Sequence, residues 1–285
     1  MLRDNPQLHF ELFRYQLLPI SQHVQKDMFR EILSTKELKE KKNAFFQKIL
    51  DEFPPLQYRD ATINFRVDLA VSPWYVIEIN TQKTLQRDKP DFEKERIDTW
   101  PHIIIAINNQ PDIQLIAISR NKKAFSSCAV VAKMLQDNFQ RLLHEYYLNI
   151  QIDALFDKNH FWELIKKHSG KITSVKFELI SPNMANISKD LELDLAQLNV
   201  DTNSHRTDLK LNSGEGSVLE INPENTLLNS LVDYSSEGGG DIELRLKGVT
   251  KAIRTSKTAR ELSIDEFSAK NLSPDMLTMI FEKLL

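Results

Sequence analysis

The chain has 285 residues, of which 41% are hydrophobic and 27% are charged, with a formal net charge of −3. This length favours two packed units over one hydrophobic core, and the mild acidity excludes a generally basic, histone-like binder. The one cysteine, Cys128, excludes an internal disulfide and a cysteine-based zinc site. No signal-length apolar stretch at the N-terminus and no bilayer-length apolar run is present, so we predict a cytoplasmic protein that does not contact a membrane.

Apolar spacing in the first half of the chain predicts alternating strands and helices. The segment 82–99 interrupts this pattern with ten charged residues, and we predict that it forms a loop or an exposed flap. The other predicted elements are a strand at 9–17, a long or broken helix ending at Phe53, strands at 63–69 and 74–79, a hairpin of 102–107 with 113–118, a helix beginning near Ser126 or Ser127, and a strand at 150–154.

The second half repeats this order more compactly. Its predicted elements are strands at 172–180, 207–212, 217–221 and 241–247, a short helix around 191–198, and a helix over 223–234 with Asn222 as its N-cap. Strand, helix, strand, strand, helix, strand is the order of a ferredoxin-like unit, and the first half fits it if the extra strands and the flap are insertions. We therefore predict an α+β fold of two tandem ferredoxin-like (βαββαβ) units, residues 1–158 and 159–260, followed by a helical tail, 261–285.

A glycine-rich turn before the last predicted strand is the strongest functional signal. Gly238, Gly239 and Gly240 are consecutive, and the stretch 245–260 that follows holds six basic residues and no acid: Arg245, Lys247, Lys251, Arg254, Lys257 and Arg260. Glycine lets the backbone approach a ligand closely, and its exposed N–H groups can form an anion-binding nest. The segment is therefore predicted to contact a phosphate backbone. The alternative is a glycine helix cap followed by a solvated strand.

Two tandem ferredoxin-like units with a glycine-rich turn between the last helix and the last strand resemble the RAMP proteins, which bind and process RNA in CRISPR systems. The resemblance implies an RNA-facing role for Gly238, Gly239, Gly240 and for neighbours such as Arg245 and Lys247. The sequence as a whole also resembles uncharacterised proteins of bacterial anti-phage defence loci.

Candidate catalytic residues are few. His23 lies at the predicted start of the first long helix, where the helix dipole would lower its pKa and suit it to act as the base of a metal-independent ribonuclease. The alternative is that it belongs only to a helix N-terminus. Asp68 and Glu78 lie on adjoining predicted strands, but Asn80 replaces the lysine that a two-metal nuclease would need. The histidines lack the spacing of metal ligands, and no cofactor-binding motif is present, so we predict neither a metal nor a cofactor.

The tail helix places four apolar residues on one face: Leu277, Ile280, Phe281 and Leu284. This face is predicted to dock either on the chain itself or on a protein partner.

Three functions are compatible with the sequence. The favoured hypothesis is a non-enzymatic, nucleic-acid-binding subunit of a bacterial anti-phage defence system, with RNA preferred over DNA. The second is a metal-independent endoribonuclease that uses His23. The third is a protein-interaction subunit of a multi-protein defence complex, in which the tail helix and the flap bind another protein.

Overall fold

Runs of β-branched and aromatic residues pair into antiparallel sheets, with helices packed against them, so the fold is α+β. The computed structural model describes residues 7–21, 34–59, 61–180, 198, 201–265 and 273–282. Its helices are α1 (Thr35–Asp51), α2 (Cys128–Leu143), α3 (Lys158–Lys167), α4 (Thr226–Tyr234) and α5 (Pro274–Glu282). Its strands are β1 (Gln7–Pro19), β2 (Leu56–Tyr58), β3 (Ala61–Val71), β4 (Trp74–Asn80), β5 (Lys83–Asp88), β6 (Lys94–Thr99), β7 (His102–Asn108), β8 (Leu115–Ser119), β9 (Leu148–Ala154), β10 (Ile172–Ile180), β11 (Arg206–Asn212), β12 (Gly240–Leu246), β13 (Ile253–Arg254) and β14 (Glu261–Asp265).

The larger sheet has eight strands in the order β14-β1-β8-β7-β4-β3-β2, with β9 also paired to β1. The long strand β1 is its centre: one edge pairs with β8, and the other pairs first with β14 and then with β9. The predicted hairpin of 102–107 with 113–118 is confirmed as β7 and β8. Strand β14, which lies in the predicted tail segment, thus pairs with β1, the first described strand.

Two helices cover one face of this sheet. Ser34 and Glu37 form a capping box that starts α1, and the Ser127 side chain accepts a hydrogen bond from Val130 N at the start of α2. Because side chains alternate along β1, Tyr15 and its neighbours two residues away pack under these helices, in the largest apolar cluster. The predicted helix up to Phe53 is confirmed over α1, and residues 22–33 lie outside the described residues.

The opposite face of the sheet holds a second apolar cluster. Phe10 and Leu12 of β1 and Trp74 of β4 are buried there, together with Leu277 of α5. The indole Nε1 of Trp74 also donates a hydrogen bond to Thr278 Oγ1 at 2.9 Å. The tail helix α5 is therefore docked on its own chain through Leu277 and Thr278.

The segment 82–99 is an exposed flap, as predicted. Its two strands, β5 and β6, pair with each other from Lys83 opposite Thr99 to Asp88 opposite Lys94 and form a separate two-stranded sheet. All six residues of β5 are exposed. The flap continues the β4–β7 pair, whose last partners are Asn80 and His102.

The smaller sheet has the order β11-β10-β12-β13, and every pairing is antiparallel. The expected pairing of 172–180 with 241–247 is confirmed by β10 and β12. Helices α3 and α4 cover one face through buried side chains that include Phe161, Ile165, Leu231 and Val232. The predicted helix around 191–198 lies outside the described residues, except for Leu198.

The prediction of a strand at 217–221, and so of a hairpin with 207–212, is wrong. Leu219 and Ile221 pack against the core under the helices, and only Leu219 N bonds to β10, at the Ile172 carbonyl (2.7 Å). A short apolar run can bury its side chains this way without joining a ladder. The short strand β13 is instead the fourth strand.

The predicted start of the following helix is also wrong. The structure caps α4 with Asn225, whose side chain accepts from Leu228 N at 3.0 Å. Asn222 forms a turn with Glu224 N instead.

Candidate functional site

The glycine-rich turn packs between the two sheets. Residues 235–239 leave α4 in a widened helical turn, and Gly238 and Gly240 have φ values of +84° and +140°. A Cβ at Gly238 would lie 2.5 Å from Arg14 Cβ, and one at Gly240 would overlap the Glu178 carbonyl oxygen. Gly239 is buried as well, against Tyr234. Packing therefore explains why these positions are glycine, and the turn is buried, whereas the predicted anion-binding nest needs exposed N–H groups.

Polar contacts fasten this turn to β1. Arg14 Nη1 donates to the Glu237 carbonyl at 2.7 Å, and Gln16 Nε2 donates to the Gly238 carbonyl at 2.9 Å. Arg260 Nη2 reaches the Glu237 carboxylate at 3.1 Å. Arg260, one of the predicted phosphate-binding cations, thus pairs with an acid at this junction.

Two further predicted cations are paired on the polar face of the smaller sheet, opposite the face that α3 and α4 cover. Arg254 lies 3.2 Å from Asp241 and 3.4 Å from Glu178, and it also contacts Glu243. Arg245 lies 2.9 Å from Glu243. The expectation that six cations lack compensating acids is therefore wrong for Arg245, Arg254 and Arg260, because the acids come from positions that precede this stretch of the chain.

The remaining three cations differ. Lys247, Lys251 and Lys257 are exposed, and they form no ion pair with another residue in the described part of the chain. Lys247 and Lys251 lie between β12 and β13, and Lys257 follows β13. The predicted phosphate-binding patch is reduced to these three lysines.

An unpaired sheet edge adjoins the flap. Only the first three residues of β3 pair with β2, so the outer edge from Asn64 to Val71 has no partner strand among the described residues. Phe65, Val67 and Val71 on this strand are 37%, 39% and 51% exposed. Exposed apolar side chains on a free strand edge are a liability that proteins normally avoid.

The flap carries three more exposed apolar residues. Leu85 is 55% exposed, Trp100 is 52% exposed, and Phe92 in the turn between β5 and β6 is 96% exposed. We call these three side chains, with Phe65 and Val67, the flap–edge surface; Val71 pairs with Trp74 after a register shift and lies on the opposite face of the sheet. It contains five of the ten large apolar side chains that are exposed in the described residues. Exposed apolar side chains grouped in this way are typical of surfaces that bind another molecule.

The other predicted site residues are the candidate base and the apolar face of the tail helix. His23, the candidate base, lies outside the described residues, as does Leu284, and nothing is described of the side chains of Ile280 and Phe281. Leu277 is buried in the core.

The acids weighed for a two-metal nuclease are neutralised. Arg66 pairs with Asp68 at 2.6 Å and with Glu78 at 3.0 Å. Within the described ranges, no group of three or more histidine, cysteine or acidic side chains is arranged to hold a metal ion. Burial raises the pKa of the Cys128 thiol to about 12, which is the opposite of what a nucleophile needs.

Sequence reasoning missed both the open edge of β3 and the polar face of β1. The alternation of β1 places Arg14 and Gln16 on the face that holds Phe10 and Leu12, so the apolar stripe changes to polar in mid-strand. That change was the available signal for a buried polar contact. No sequence signal identified the open edge, because the sequence of one strand does not determine which other strands pair with it.

No protein-family profile, curated protein or solved structure matches the chain. Across the described residues, no helix has both the length and the apolar character needed to cross a membrane.

Proposed function

We propose that this protein is a protein-interaction subunit that binds a partner through the flap–edge surface. One observation carries the proposal: the free edge of β3 and the neighbouring flap concentrate exposed apolar side chains, with Phe92 almost fully exposed. A free edge can accept a strand from another protein, and its side-chain pattern then gives specificity. Exposed aromatic anchors such as Phe92 and Trp100 are the residue types that dominate binding energy at interfaces.

The flap itself supports a binding role. An isolated two-stranded ribbon is marginally stable in water, and β5 is exposed along its whole length. Its strand contacts include the exposed ion pair Arg87–Glu95 at 2.8 Å, which contributes little stability. A partner packed against Leu85 and Ile97, which face each other across the ribbon, would bury apolar area that the flap alone leaves in water.

We further propose that the first unit is ferredoxin-like. Around β1, the elements β1, α1, β7, β8, α2 and β9 follow the ferredoxin-like order, and both helices lie on one face of the sheet. This supports a ferredoxin-like first unit with β2 to β6 inserted. The cytoplasmic location, the place in a bacterial defence complex and the ribonuclease alternative with His23 remain predictions.

A second candidate function is nucleic-acid binding by Lys247, Lys251 and Lys257. The observation that favours it is that these exposed lysines have no ion-pair partner in the described ranges. RNA binding that depends on three phosphate contacts would weaken as the salt concentration rises. Changing all three lysines to Glu should abolish that salt dependence, and a parent protein that does not bind RNA would rule the candidate out.

The main proposal is tested with tagged full-length protein in its host cells. Phe92→Ser and Trp100→Ser remove the two aromatic anchors, and Val249→Ser is the matched control because Val249 is 50% exposed and lies outside the surface. We expect a protein that copurifies with the parent and with Val249→Ser, and that is lost from both aromatic variants. The same set of copurifying proteins for all four chains would contradict the proposal.

A further inference from the structure

The contact between the two sheets is unusually polar for a buried surface. Arg14 and Gln16 of β1, and Ser235 of the glycine-rich turn, are 6%, 0% and 0% exposed. Each retains a buried atom without a hydrogen-bond partner among the described residues: Arg14 Nε, Gln16 Oε1 and Ser235 Oγ. With Asp153 and Glu237, these residues form what we call the polar junction. Unsatisfied buried groups are costly, so such a set calls for an explanation.

Asp153 is the member of the junction that can change its charge. It lies on β9 directly opposite Arg14, on the same face of the sheet. The Arg14 guanidinium is engaged by Glu237, and Asp153 Oδ2 is buried without a partner among the described residues. An ionised Asp153 would therefore be an inadequately compensated charge.

Charges of both signs lie near Asp153 in the smaller sheet, because Arg254 of β13 pairs with the two acids there, at 3.2 Å from Asp241 and 3.4 Å from Glu178. Asp241 of β12 and Glu178 of β10 repel an ionised Asp153, and they lie opposite each other in the β10–β12 ladder. Arg206 of β11 attracts it, but Arg206 is also paired with Glu178 and, at 3.2 Å, with Asp208. The nearby phenol of Tyr234 donates to the Ile180 carbonyl instead.

We propose that the polar junction is a pH-dependent latch, closed when the Asp153 carboxyl is protonated and loosened when it ionises. The closed latch holds the glycine-rich turn on β1 through the bonds of Arg14 and Gln16. When Asp153 ionises, a negative charge on β9 faces the carboxylates of Asp241 and Glu178 in the smaller sheet. The turn and the β9 side of the junction then separate more often.

The titration range follows from the surroundings of the carboxyl. Burial raises the pKa of Asp153 to about 7, a hydrogen bond from Gln151 opposes the rise, and Asp241 adds to it. A carboxyl whose pKa is raised in the closed state favours that state most below its ordinary pKa of about 4, and the advantage is lost as pH rises from there through the raised pKa. The latch is therefore held closed more strongly at pH 5.5 than at pH 8.5.

Hydrogen–deuterium exchange of the full chain tests the latch. We expect the protection of segments 153–157 and 235–240, corrected for the intrinsic pH dependence of exchange, to fall at least about tenfold between pH 5.5 and 8.5. Protection of α2 should not change. In Asp153→Asn, which keeps the shape of the side chain without its charge, both segments should stay protected at both pH values.

The matched control is Asp137→Asn, an exposed carboxylate of α2 that pairs with Lys133 at 2.7 Å, away from the junction. It should behave as the parent does. Equal protection of the parent at the two pH values, or a pH-dependent loss that persists in Asp153→Asn, would overturn the proposal. Because the parent alone gives the first result, the test does not depend on how well the variant folds.

Discussion

At the scale of single residues, the structure separates positions that the sequence groups together. The three glycines of the turn are needed where the backbone passes Arg14, Tyr234 and the Glu178 carbonyl. Among the six cations that follow, Arg245 and Arg254 pair with buried acids, Arg260 pairs with the partly exposed Glu237, and the lysines face solvent. The expected lack of compensating acids therefore holds, among the described residues, only for the lysines, because the acids that face each arginine are set by strand register and tertiary packing.

The packing role of the turn predicts a large cost for Gly240→Ala. The substitution adds a Cβ that overlaps the Glu178 carbonyl and forces a side chain into φ +140°, so we expect a loss of about 3 kcal/mol in the free energy of unfolding. Gly214→Ala is the control, since an added Cβ there meets no atom within 4 Å. Urea unfolding measures both, and equal stability of the two variants would refute the packing role.

Arg254 and Lys251 were predicted to share a role, and a second pair of variants distinguishes them. Arg254→Ala leaves Glu178, Asp241 and Glu243 without their shared cation, and each of these acids is 8% exposed. Because Arg254 itself is partly exposed, we expect a loss of about 1–2 kcal/mol in the free energy of unfolding. Lys251→Ala should change it by less than about 0.5 kcal/mol. A destabilised Lys251 variant, or an unaffected Arg254 variant, would be inconsistent with this division.

At the scale of elements, periodicity predicted the helices and strands whose two faces differ. The hairpin of β7 and β8 and the pairing of β10 with β12 follow from alternation, and they are confirmed. The run 217–221 has the same alternation, yet it packs its apolar side chains without entering a ladder. A run of five residues does not specify whether its neighbour is a strand or a helix, so this failure has a physical cause.

The flap is predicted to be dispensable for folding. Asn80 and His102 are the last partners of β4 and β7, so a two-residue turn can replace residues 81–101 and close the same pair of strands. We expect the melting temperature of this deletion to stay within about 3 °C of the parent, because an exposed ribbon contributes little to the core. Circular dichroism during heating measures the shift, and loss of cooperative unfolding would show that the flap belongs to the fold.

At the scale of the whole molecule, two sheets with separate apolar cores meet through polar side chains. The order of elements predicted two packed units, but it did not predict this contact, because Arg14, Gln16 and Asp153 are far apart from residues 235–240 in sequence. The open edge and the polar junction emerge only from the assembled sheets.

Stability as a function of pH gives an independent check on the junction. Folding raises the pKa of Asp153 to about 7, so the folded chain holds a proton that the unfolded chain has released above about pH 4. The contribution of this carboxyl to stability therefore falls from about pH 4 to pH 7. Asp153→Asn should be more stable than the parent at pH 8, by a margin that shrinks toward pH 4. A constant difference across this range in urea unfolding would contradict the assignment.

The central claim, that the flap–edge surface binds a protein, is tested most directly by photo-crosslinking in the host cell. Phe92 is replaced with the photoreactive amino acid p-benzoylphenylalanine in one chain, and Val249 is replaced with it in a second chain as the control. Both positions are exposed, and only Phe92 belongs to the surface. We expect illumination to give one discrete, higher-mass adduct from position 92 and none from position 249. No adduct from position 92, or the same adducts from both positions, would contradict the claim.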